Sequence, residues 1–291
     1  MTNQLNTAQL PKPITRYIQV FVFIAIYISI GFFLNNVYAY LFIGTPLGLL
    51  FQHFICKRPI HQAWLKNGKK FHLSKWGIAF AIFFCLYPIK LLVYRITNNL
   101  WDWYTLYWIA DIIGAFPAAY CVSHLTKANT KQLLLCFLIA GSIGTAMVVA
   151  AFIGHGHNNL SPYMRLLKGV KNMLLIFPIS FIIEEVIFRG VLDSYVYQEG
   201  NKKGVLSAFY ISALWGLWHF PVQMNFSNIA QPINISIGME VIRALGLIIS
   251  MSLVGIPLSI FWRKSGNLAV PAFTHTFLDS VRNALLTIHL S

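Results

Sequence analysis

Ionisable side chains interrupt the apolar sequence at three places in the second half of the chain. The three stretches read FIIEEVIFRGVL, SALWGLWHFP and NLAVPAFTHTFLD. Their ionisable members are Glu184, Glu185, Arg189, His219, His275 and Asp279. Charged groups are costly in an apolar setting and are usually functional there. A glutamate can activate water while histidines orient it or stabilise an oxyanion, so this set of side chains indicates hydrolysis.

The spacing within the first stretch gives its two carboxylates different roles. Glu185 and Arg189 are four residues apart, which is one helical turn, so their side chains can form an ion pair. Glu184 is displaced by about 100° around an α-helix and is expected to stay out of that pair. A free carboxylate in a low-dielectric site suits a general base acting on water. The alternative is an ion pair that only fixes helix packing, but this would leave Glu184 unpaired at a cost in stability.

The other two stretches each place a histidine one helical turn from a neighbour. His219 follows Trp215, and a lone histidine near a helix end is more often an interfacial residue than a functional one. His275 precedes Asp279, and such a pair could be a proton relay, half of a metal site or a catalytic pair. A divalent metal such as zinc is therefore a second interpretation. Its candidate ligands are Glu184, His219, His275 and Asp279.

The elements that must position these residues are predicted to be membrane-spanning helices. Hydrophobic residues make up 57% of the 291 residues and charged residues only 10%, whereas soluble proteins carry roughly a quarter charged residues. A spanning helix needs about 20 mostly apolar residues. Such stretches are predicted at 17–35, 37–55, 76–94, 101–123, 132–153, 172–196, 204–220, 241–262 and 267–288. The expected fold is an all-α, polytopic bundle of eight to nine spans.

Basic residues alternate between the loops that join the predicted spans. The loops after the second, fourth, sixth and eighth spans carry most of the lysines and arginines, and the intervening loops are poorer. The positive-inside rule then puts the N-terminus in the cytoplasm, and nine spans put the C-terminus outside. The excess of 22 Lys and Arg over 8 Asp and Glu is explained by this topology, and nucleic-acid binding is not expected. A multi-pass protein of a bacterial plasma membrane is predicted.

The three stretches resemble, in order, the motifs of the CPBP family. This family contains CAAX proteases and bacteriocin-processing enzymes and is also called the Abi family. EEVIFR matches its EExxxR motif, WGLWH resembles its motif of an aromatic residue followed four residues later by histidine, and HTFLD resembles its HxxxN or HxxxD motif. The resemblance covers about residues 165–288. We therefore divide the chain into a variable set of N-terminal helices at 1–164 and a catalytic core at 165–291.

The resemblance implies a membrane-embedded endopeptidase that uses glutamate-activated water. By analogy with Ras-converting CAAX endopeptidases, Glu184 would activate the water and His219 would assist. Glu185 and Arg189 would hold the geometry of their helix. The expected substrate is a peptide precursor or a membrane protein at the lipid bilayer, and prenylated substrates are not expected in bacteria.

The third motif departs from the sequence of the CAAX enzymes. His275 and Asp279 would occupy the oxyanion-stabilising positions, but those enzymes have Asn where this chain has Asp279. An ionised carboxylate accepts hydrogen bonds and would repel an oxyanion. Asp279 is therefore expected to be protonated, to orient His275 or to help bind a metal. The aromatic residue of the second motif is Trp215 where Phe is commoner, and this difference is expected to matter little.

Two other functions remain as alternatives. Some relatives of the family provide self-immunity against bacteriocins or act as membrane scaffolds, with little or no catalysis. A transporter or proton relay could also use buried carboxylates. Transporters often contain repeated halves, and no such repeat is visible in this sequence.

Overall fold

The chain folds into long helices, and a computed structural model describes residues 11–34, 36–68, 70–155, 161–197, 204–223 and 237–286. The helices are α1 (Pro13–Leu34), α2 (Val37–Leu50), α3 (Lys75–Thr97), α4 (Trp103–Ser123), α5 (Lys127–Cys136), α6 (Ser142–His155), α7 (Pro162–Ser180), α8 (Ser194–Val196), α9 (Gly204–Trp218), α10 (Ile237–Ser265) and α11 (Ala269–Leu285). Within these ranges the only β-type pairing is an isolated bridge between Leu65 and Asn267. The expected all-α architecture is confirmed.

Three π-helical segments and one 3₁₀ turn complete the secondary structure of the residues described. The π-helical segments Phe51–Ile55, Phe137–Gly141 and Phe181–Asp193 continue α2, α5 and α7, and the 3₁₀ turn Ile60–Ala63 lies in the loop after α2. Helices α5 and α6 therefore form one continuous element, and α7 runs through its π-helical segment into α8.

Seven helical elements of the described chain are long and apolar enough to cross a membrane. They are Pro13–Leu34, Val37–Ile55, Lys75–Thr97, Trp103–Ser123, Lys127–Ile153, Gly204–Gln223 and Ile237–Ser265. The two remaining long elements, 162–196 and α11, carry the EExxxR and HxxxD residues. The segment 177–196 of the first is buried except at Glu184, whereas much of its first half is exposed, and α11 has 17 residues. The chain is a polytopic helix bundle.

Polar residues at the loop ends fix where several helices begin. A side-chain oxygen accepts a hydrogen bond from a backbone N–H three residues later, which satisfies one of the unpaired donors of the first turn. These capping residues are Asn36, Ser74, Asp102, Thr126 and Ser161.

The helix that carries EExxxR differs from the expected α-helix. It begins at Pro162, ten residues before the predicted span at 172–196, and residues Phe181–Asp193 are π-helical. Hydrogen bonds from residue i to i+5 make a π-helix wider than an α-helix, so successive residues turn through less than 100°. π-Helical turns are uncommon and are often found at functional sites. Glu184 and Glu185 consequently lie closer together around the axis than α-helical geometry predicts.

The loops predicted to be basic lie together at one end of the bundle. Lys66 donates its backbone N–H to Gly266 (2.9 Å), and Asn267 donates to the backbone oxygen of Cys121 (2.8 Å). Arg58 donates to the backbone oxygen of Ser194 (2.8 Å). We call this end the basic face. It comprises the loops at 57–74, 124–126 and 265–268 and the end of the helix at Val196.

Arg16, at the start of α1, also reaches the basic face, where it donates to the backbone oxygen of Tyr195 (3.0 Å). The last carbonyls of a helix have no partner within the helix, and basic groups are favourable there. Arg16 and Arg58 therefore cap the C-terminal end of the EExxxR helix. The alternation predicted from loop charge agrees with this arrangement for the loops after the second, fourth and eighth predicted spans, and the loop after the sixth lies outside the described residues.

Asp193 lies inside the protein near the basic face. It falls near the end of the span predicted at 172–196, where contact with water is expected. Its side chain is fully buried and accepts two hydrogen bonds from Arg263, at 2.8 and 2.6 Å. Arg263 also donates to the backbone oxygen of Gly204 (2.5 Å). This pair joins the EExxxR helix to α9 and α10.

Candidate active site

The six ionisable residues singled out in the sequence come together between three helical elements. Glu184, Glu185 and Arg189 project from the π-helical segment Phe181–Asp193. His219 lies just after the end of α9, and His275 and Asp279 project from α11. The spacing of four residues works in each motif because it places both members on one side of a helix. Their convergence depends on packing that no single motif specifies.

Glu184 is the carboxylate on which the two histidines converge. Its Oε2 accepts a hydrogen bond from Nε1 of Trp215 (2.8 Å). The same oxygen lies 3.6 Å from Nε2 of His219 and 3.9 Å from Nε2 of His275. The side chain retains 15% of its exposure. Glu184 is thus outside the Glu185–Arg189 pair, as expected, but it is held by an indole donor that the sequence analysis treated as unimportant.

Hydrogen bonds at Nδ1 orient both histidine rings. Nδ1 of His219 lies 2.9 Å from the backbone oxygen of Trp215, and Nδ1 of His275 lies 2.8 Å from Oε1 of Glu185. A carbonyl or carboxylate oxygen can only accept, so each Nδ1 carries the hydrogen. Each Nε2 therefore faces Glu184 and is available to hold or release a proton. The hydrogen bond made by one ring nitrogen of a histidine thus determines the role of the other ring nitrogen.

The Glu185–Arg189 pair lies on the side of the site that is nearer the basic face. NH1 of Arg189 is 3.3 Å from Oε1 of Glu185, and neither side chain has any exposed surface. The Arg189 guanidinium also lies over the ring of Trp215, 4.1 Å from its centroid, which adds a cation–π contact. The predicted pair is confirmed, and it holds both Trp215 and His275 in place.

Asp279 is surrounded by donors. Its Oδ1 is 3.0 Å from NH2 of Arg282, and its Oδ2 accepts a hydrogen bond from Ser180 (3.3 Å). Oδ2 is also 3.6 Å from Nε2 of His275. This setting favours an ionised carboxylate and is compatible with the expected role of orienting His275. Arg282 and Ser180 were not among the predicted residues, although Arg282 lies one turn beyond Asp279 on the same helix.

Three of the four candidate metal ligands are close enough to share an ion. One ligand atom each from Glu184, His275 and Asp279 lies within 4.8 Å of the other two. Carboxylate oxygen and imidazole nitrogen are donors that zinc accepts. His219 is outside this group of three, but its Nε2 is 3.6 Å from Glu184. The donor set fits a divalent cation, although Arg282 beside Asp279 competes with one.

Helix α9 brings His219 to the depth of Glu184. The predicted spans place Glu184 near the middle of 172–196 and His219 near the end of 204–220. The two residues then lie at the same depth only if the span at 204–220 is short or tilted. Helical backbone continues beyond α9 to Gln223, and this element of 20 residues is long enough to span. His219 therefore lies before the end of the element, and its Nε2 is 3.6 Å from Oε2 of Glu184.

A further acidic residue, Asp111, makes no hydrogen bond to this cluster among the described residues. Asp111 in α4 is fully buried, and neither of its carboxylate oxygens has a hydrogen-bond partner among the described residues. His157 and Glu199 lie outside the described residues, as does most of the loop between α9 and α10.

The C-terminal half of the chain matches a known family. Residues 167–281 match the sequence profile of the family described as type II CAAX prenyl endopeptidase Rce1-like. The match spans all three motifs and the helical elements from α7 to α11. No curated protein and no solved structure matches the chain significantly. Residues 167–281 are therefore similar in sequence to the Rce1-like endopeptidases, in the part of the chain whose three motifs resemble those of the CPBP family.

Proposed function

We propose that this protein is a membrane-embedded endopeptidase in which Glu184 activates the water that attacks a peptide bond. The observation that carries the proposal is the position of Glu184. One of its oxygens lies within 3.6 and 3.9 Å of Nε2 of His219 and His275, and Trp215 donates to that oxygen. A general base needs a carboxylate oriented by fixed donors and still reachable by water.

The reaction follows from the orientation of the side chains. Glu184 takes a proton from water while the water oxygen forms a bond to the carbonyl carbon of the substrate. The carbonyl oxygen becomes an oxyanion, to which His275 donates through Nε2–H. The bond between carbon and nitrogen then breaks, and the proton on Glu184 passes to the leaving amine. His219, whose Nε2 faces Glu184, assists this transfer.

The remaining charged groups hold Glu184, His219 and His275 in position. Glu185 accepts from Nδ1 of His275 and is itself neutralised by Arg189. Oδ2 of Asp279 lies 3.6 Å from Nε2 of His275 and stabilises the positive charge of the ring, and Arg282 neutralises Asp279. The oxyanion would approach the same Nε2. Neutralisation by Arg282 lowers the repulsion between Asp279 and the oxyanion, so Asp in place of the Asn found in CAAX enzymes is compatible with catalysis.

A metal-dependent version of the reaction would use the same residues. Glu184, His275 and Asp279 would hold the ion, with His219 beside them. A bound zinc ion supplies Lewis-acid activation of water and of the carbonyl group. In that case Trp215 and Arg282 would orient the carboxylates.

We infer that the substrate is a peptide precursor or a membrane protein and that the protein resides in a bacterial plasma membrane with its N-terminus in the cytoplasm. The supporting observations are the membrane-spanning helices and the family of residues 167–281. The excess of lysine and arginine in the loops of the basic face supports the orientation.

Substitution of the three proposed catalytic residues tests the proposal. Glu184→Gln, His219→Ala and His275→Ala are each expected to lower cleavage of a substrate peptide by about 10²- to 10⁴-fold, the usual contribution of a general acid or base. Glu240→Gln is the matched control because Glu240 pairs with Arg243 at the start of α10. All variants are compared at equal amounts of membrane-inserted protein.

Full activity of all three variants would contradict the proposed mechanism. The same assay with a chelator distinguishes the metal-free reaction from the metal-dependent one. Unchanged cleavage supports the metal-free reaction, whereas loss of cleavage that zinc restores supports the metal-dependent one.

A further inference from the structure

The site is closed toward the basic face. Glu185 and Arg189 lie on that side of Glu184 and have no exposed surface. Further along the same helix, Asp193 is also fully buried, and Gly190 contacts the backbone of Ala63 in the loop after α2. A side chain at Gly190 would collide with that backbone. Among the described residues, therefore, the loop at 57–74 and the EExxxR helix leave no opening between the site and the basic face.

Side-chain exposure increases from the site toward the end of the bundle opposite the basic face. Glu184, His219 and Asp279 retain 15%, 17% and 14% of their side-chain exposure. Arg282, one turn further from the basic face along α11, is 40% exposed. Gln223, one turn beyond His219, is also exposed. Both elements thus lead away from the basic face to a polar rim, which we define by Arg282 and Gln223.

The distribution of charge orients these two ends in the membrane. The described basic residues of the basic face and the adjoining helix ends are Lys12, Arg16, Lys57, Arg58, Lys66, Lys70, Lys75, Lys127, Lys131, Arg263 and Lys264. The opposite end has fewer, among them Arg165 and Lys168 at the start of α7, and there Arg95, Arg243 and Arg282 are each paired with a carboxylate. Short loops rich in lysine and arginine remain on the cytoplasmic side.

We propose that the catalytic site is entered from the face opposite the basic face and that this entrance is extracytoplasmic. The proposal rests on the endopeptidase function proposed above and narrows its substrate class. The substrate is then a peptide segment that has already crossed the membrane, either an exported peptide or an external segment of a membrane protein. A cytoplasmic chain would meet the closed side of the site.

Accessibility of introduced cysteines tests the entrance without requiring catalysis. The four native cysteines are buried, and burial raises the pKa of the Cys56 thiol to about 12, so the background reaction with maleimide is low. Arg282→Cys and Gln223→Cys report on the rim. Asn67→Cys and Asn98→Cys are a matched pair in exposed loops, on the basic face and at the opposite end respectively.

Spheroplasts expressing the full chain are treated with a membrane-impermeant maleimide before and after permeabilisation. We expect Asn98→Cys and both rim variants to react in intact spheroplasts to nearly the extent reached after permeabilisation. Asn67→Cys is expected to react only after permeabilisation. Labelling in SDS gives the total thiol and corrects for the amount of each variant. Reaction of the four buried native cysteines in spheroplasts would reveal unfolded protein, and none is expected.

Two results would overturn the proposal. Rim cysteines that react only after permeabilisation, or not at all in the folded protein, would contradict the entrance. An Asn67→Cys that reacts in intact spheroplasts would contradict the extracytoplasmic assignment. Because labelling is independent of cleavage, a catalytically inactive protein with an outward-facing rim would disprove the endopeptidase function and leave the entrance intact.

Discussion

Trp215 links the two halves of the catalytic cluster. Its Nε1 donates to Glu184 and its ring covers the guanidinium of Arg189, while its backbone oxygen accepts from His219. A phenylalanine at this position would keep the ring but could not donate. The hydrogen bond to Glu184 therefore argues against the expectation that tryptophan in place of phenylalanine matters little.

Trp215→Phe is expected to lower kcat for peptide cleavage by about 10- to 100-fold with little change in KM. The physical reason is the loss of one hydrogen bond to a charged group, which contributes about 1.5–3 kcal/mol. Steady-state kinetics at equal membrane levels measure it. Trp101→Phe, at an exposed tryptophan in the loop before α4, is the control and should behave as wild type. Unchanged kcat in Trp215→Phe would show that the indole N–H does not hold the base.

The sequence was sufficient to predict the six ionisable residues of the cluster because each motif places its members one turn apart. It was insufficient for the donors that surround them. Arg282 and Ser180 reach Asp279 from α11 and from the end of α7, and only the packing of those helices brings them together. Their roles therefore could not be predicted from spacing alone.

The positions of the helices depend on close approaches at glycines. A Cβ at Gly216 in α9 would lie 2.6 Å from the backbone oxygen of Leu247 and 2.8 Å from Cα of Ile248 in α10. Backbone atoms cannot rotate away as a side chain can, so the two helices would have to separate. Because Gly216 lies between Trp215 and His219, any shift of α9 moves residues of the site.

Gly216→Ala is expected to destabilise the folded protein by about 1–3 kcal/mol, as overpacking does, and to reduce cleavage. Gly246→Ala in α10 is the control because nothing lies within 4 Å of its added Cβ. That control should be neutral or stabilising by up to about 1 kcal/mol, since alanine favours helices. Thermal unfolding in detergent micelles gives both values. Equal unfolding temperatures for the two variants would contradict the close approach of α9 and α10.

The presence and order of the helices followed from hydropathy, whereas the π-helical segment Phe181–Asp193 did not. Hydropathy depends on residue types, and a π-helix of apolar residues has the same composition as an α-helix. The buried Asp193–Arg263 pair was missed for a related reason. Position along the chain placed Asp193 near a span end, but the arginine that buries it comes from the end of α10.

The N-terminal helices support the catalytic core through contacts that cross the predicted boundary at residue 164. Arg16 and Arg58 cap the EExxxR helix, Tyr40 donates to the backbone oxygen of Trp218 (2.8 Å), and Thr45 donates to that of Ile182 (3.2 Å). Removing such a partner leaves buried acceptors unsatisfied at about 1–3 kcal/mol each. The division into 1–164 and 165–291 remains a prediction, and these contacts indicate how it can be tested.

Expression of residues 159–291 alone is expected to yield little folded protein, because α1 and α2 no longer cover the catalytic helices. Coexpression with residues 1–158 is expected to restore both accumulation and cleavage, since the break lies outside the contacts described. Immunoblots of membranes and the peptide assay measure the two effects. Coexpression of residues 1–158 that carry Arg16→Ala and Arg58→Ala serves as the control for the capping contacts. A fragment 159–291 that accumulates and cleaves without a partner would contradict the dependence.

The basic face has a mechanical consequence for how substrates reach the site. Hydrogen bonds among three loops and two helix ends tie the bundle together at this end, and the bridge between Leu65 and Asn267 adds to them. Helices that are fixed at one end can separate most easily at the opposite end. The caps of the EExxxR helix lie at the fixed end, so Glu184 would keep its position if α9 and α11 separated at the rim. Such a separation would widen the rim for a polypeptide without displacing the proposed catalytic base.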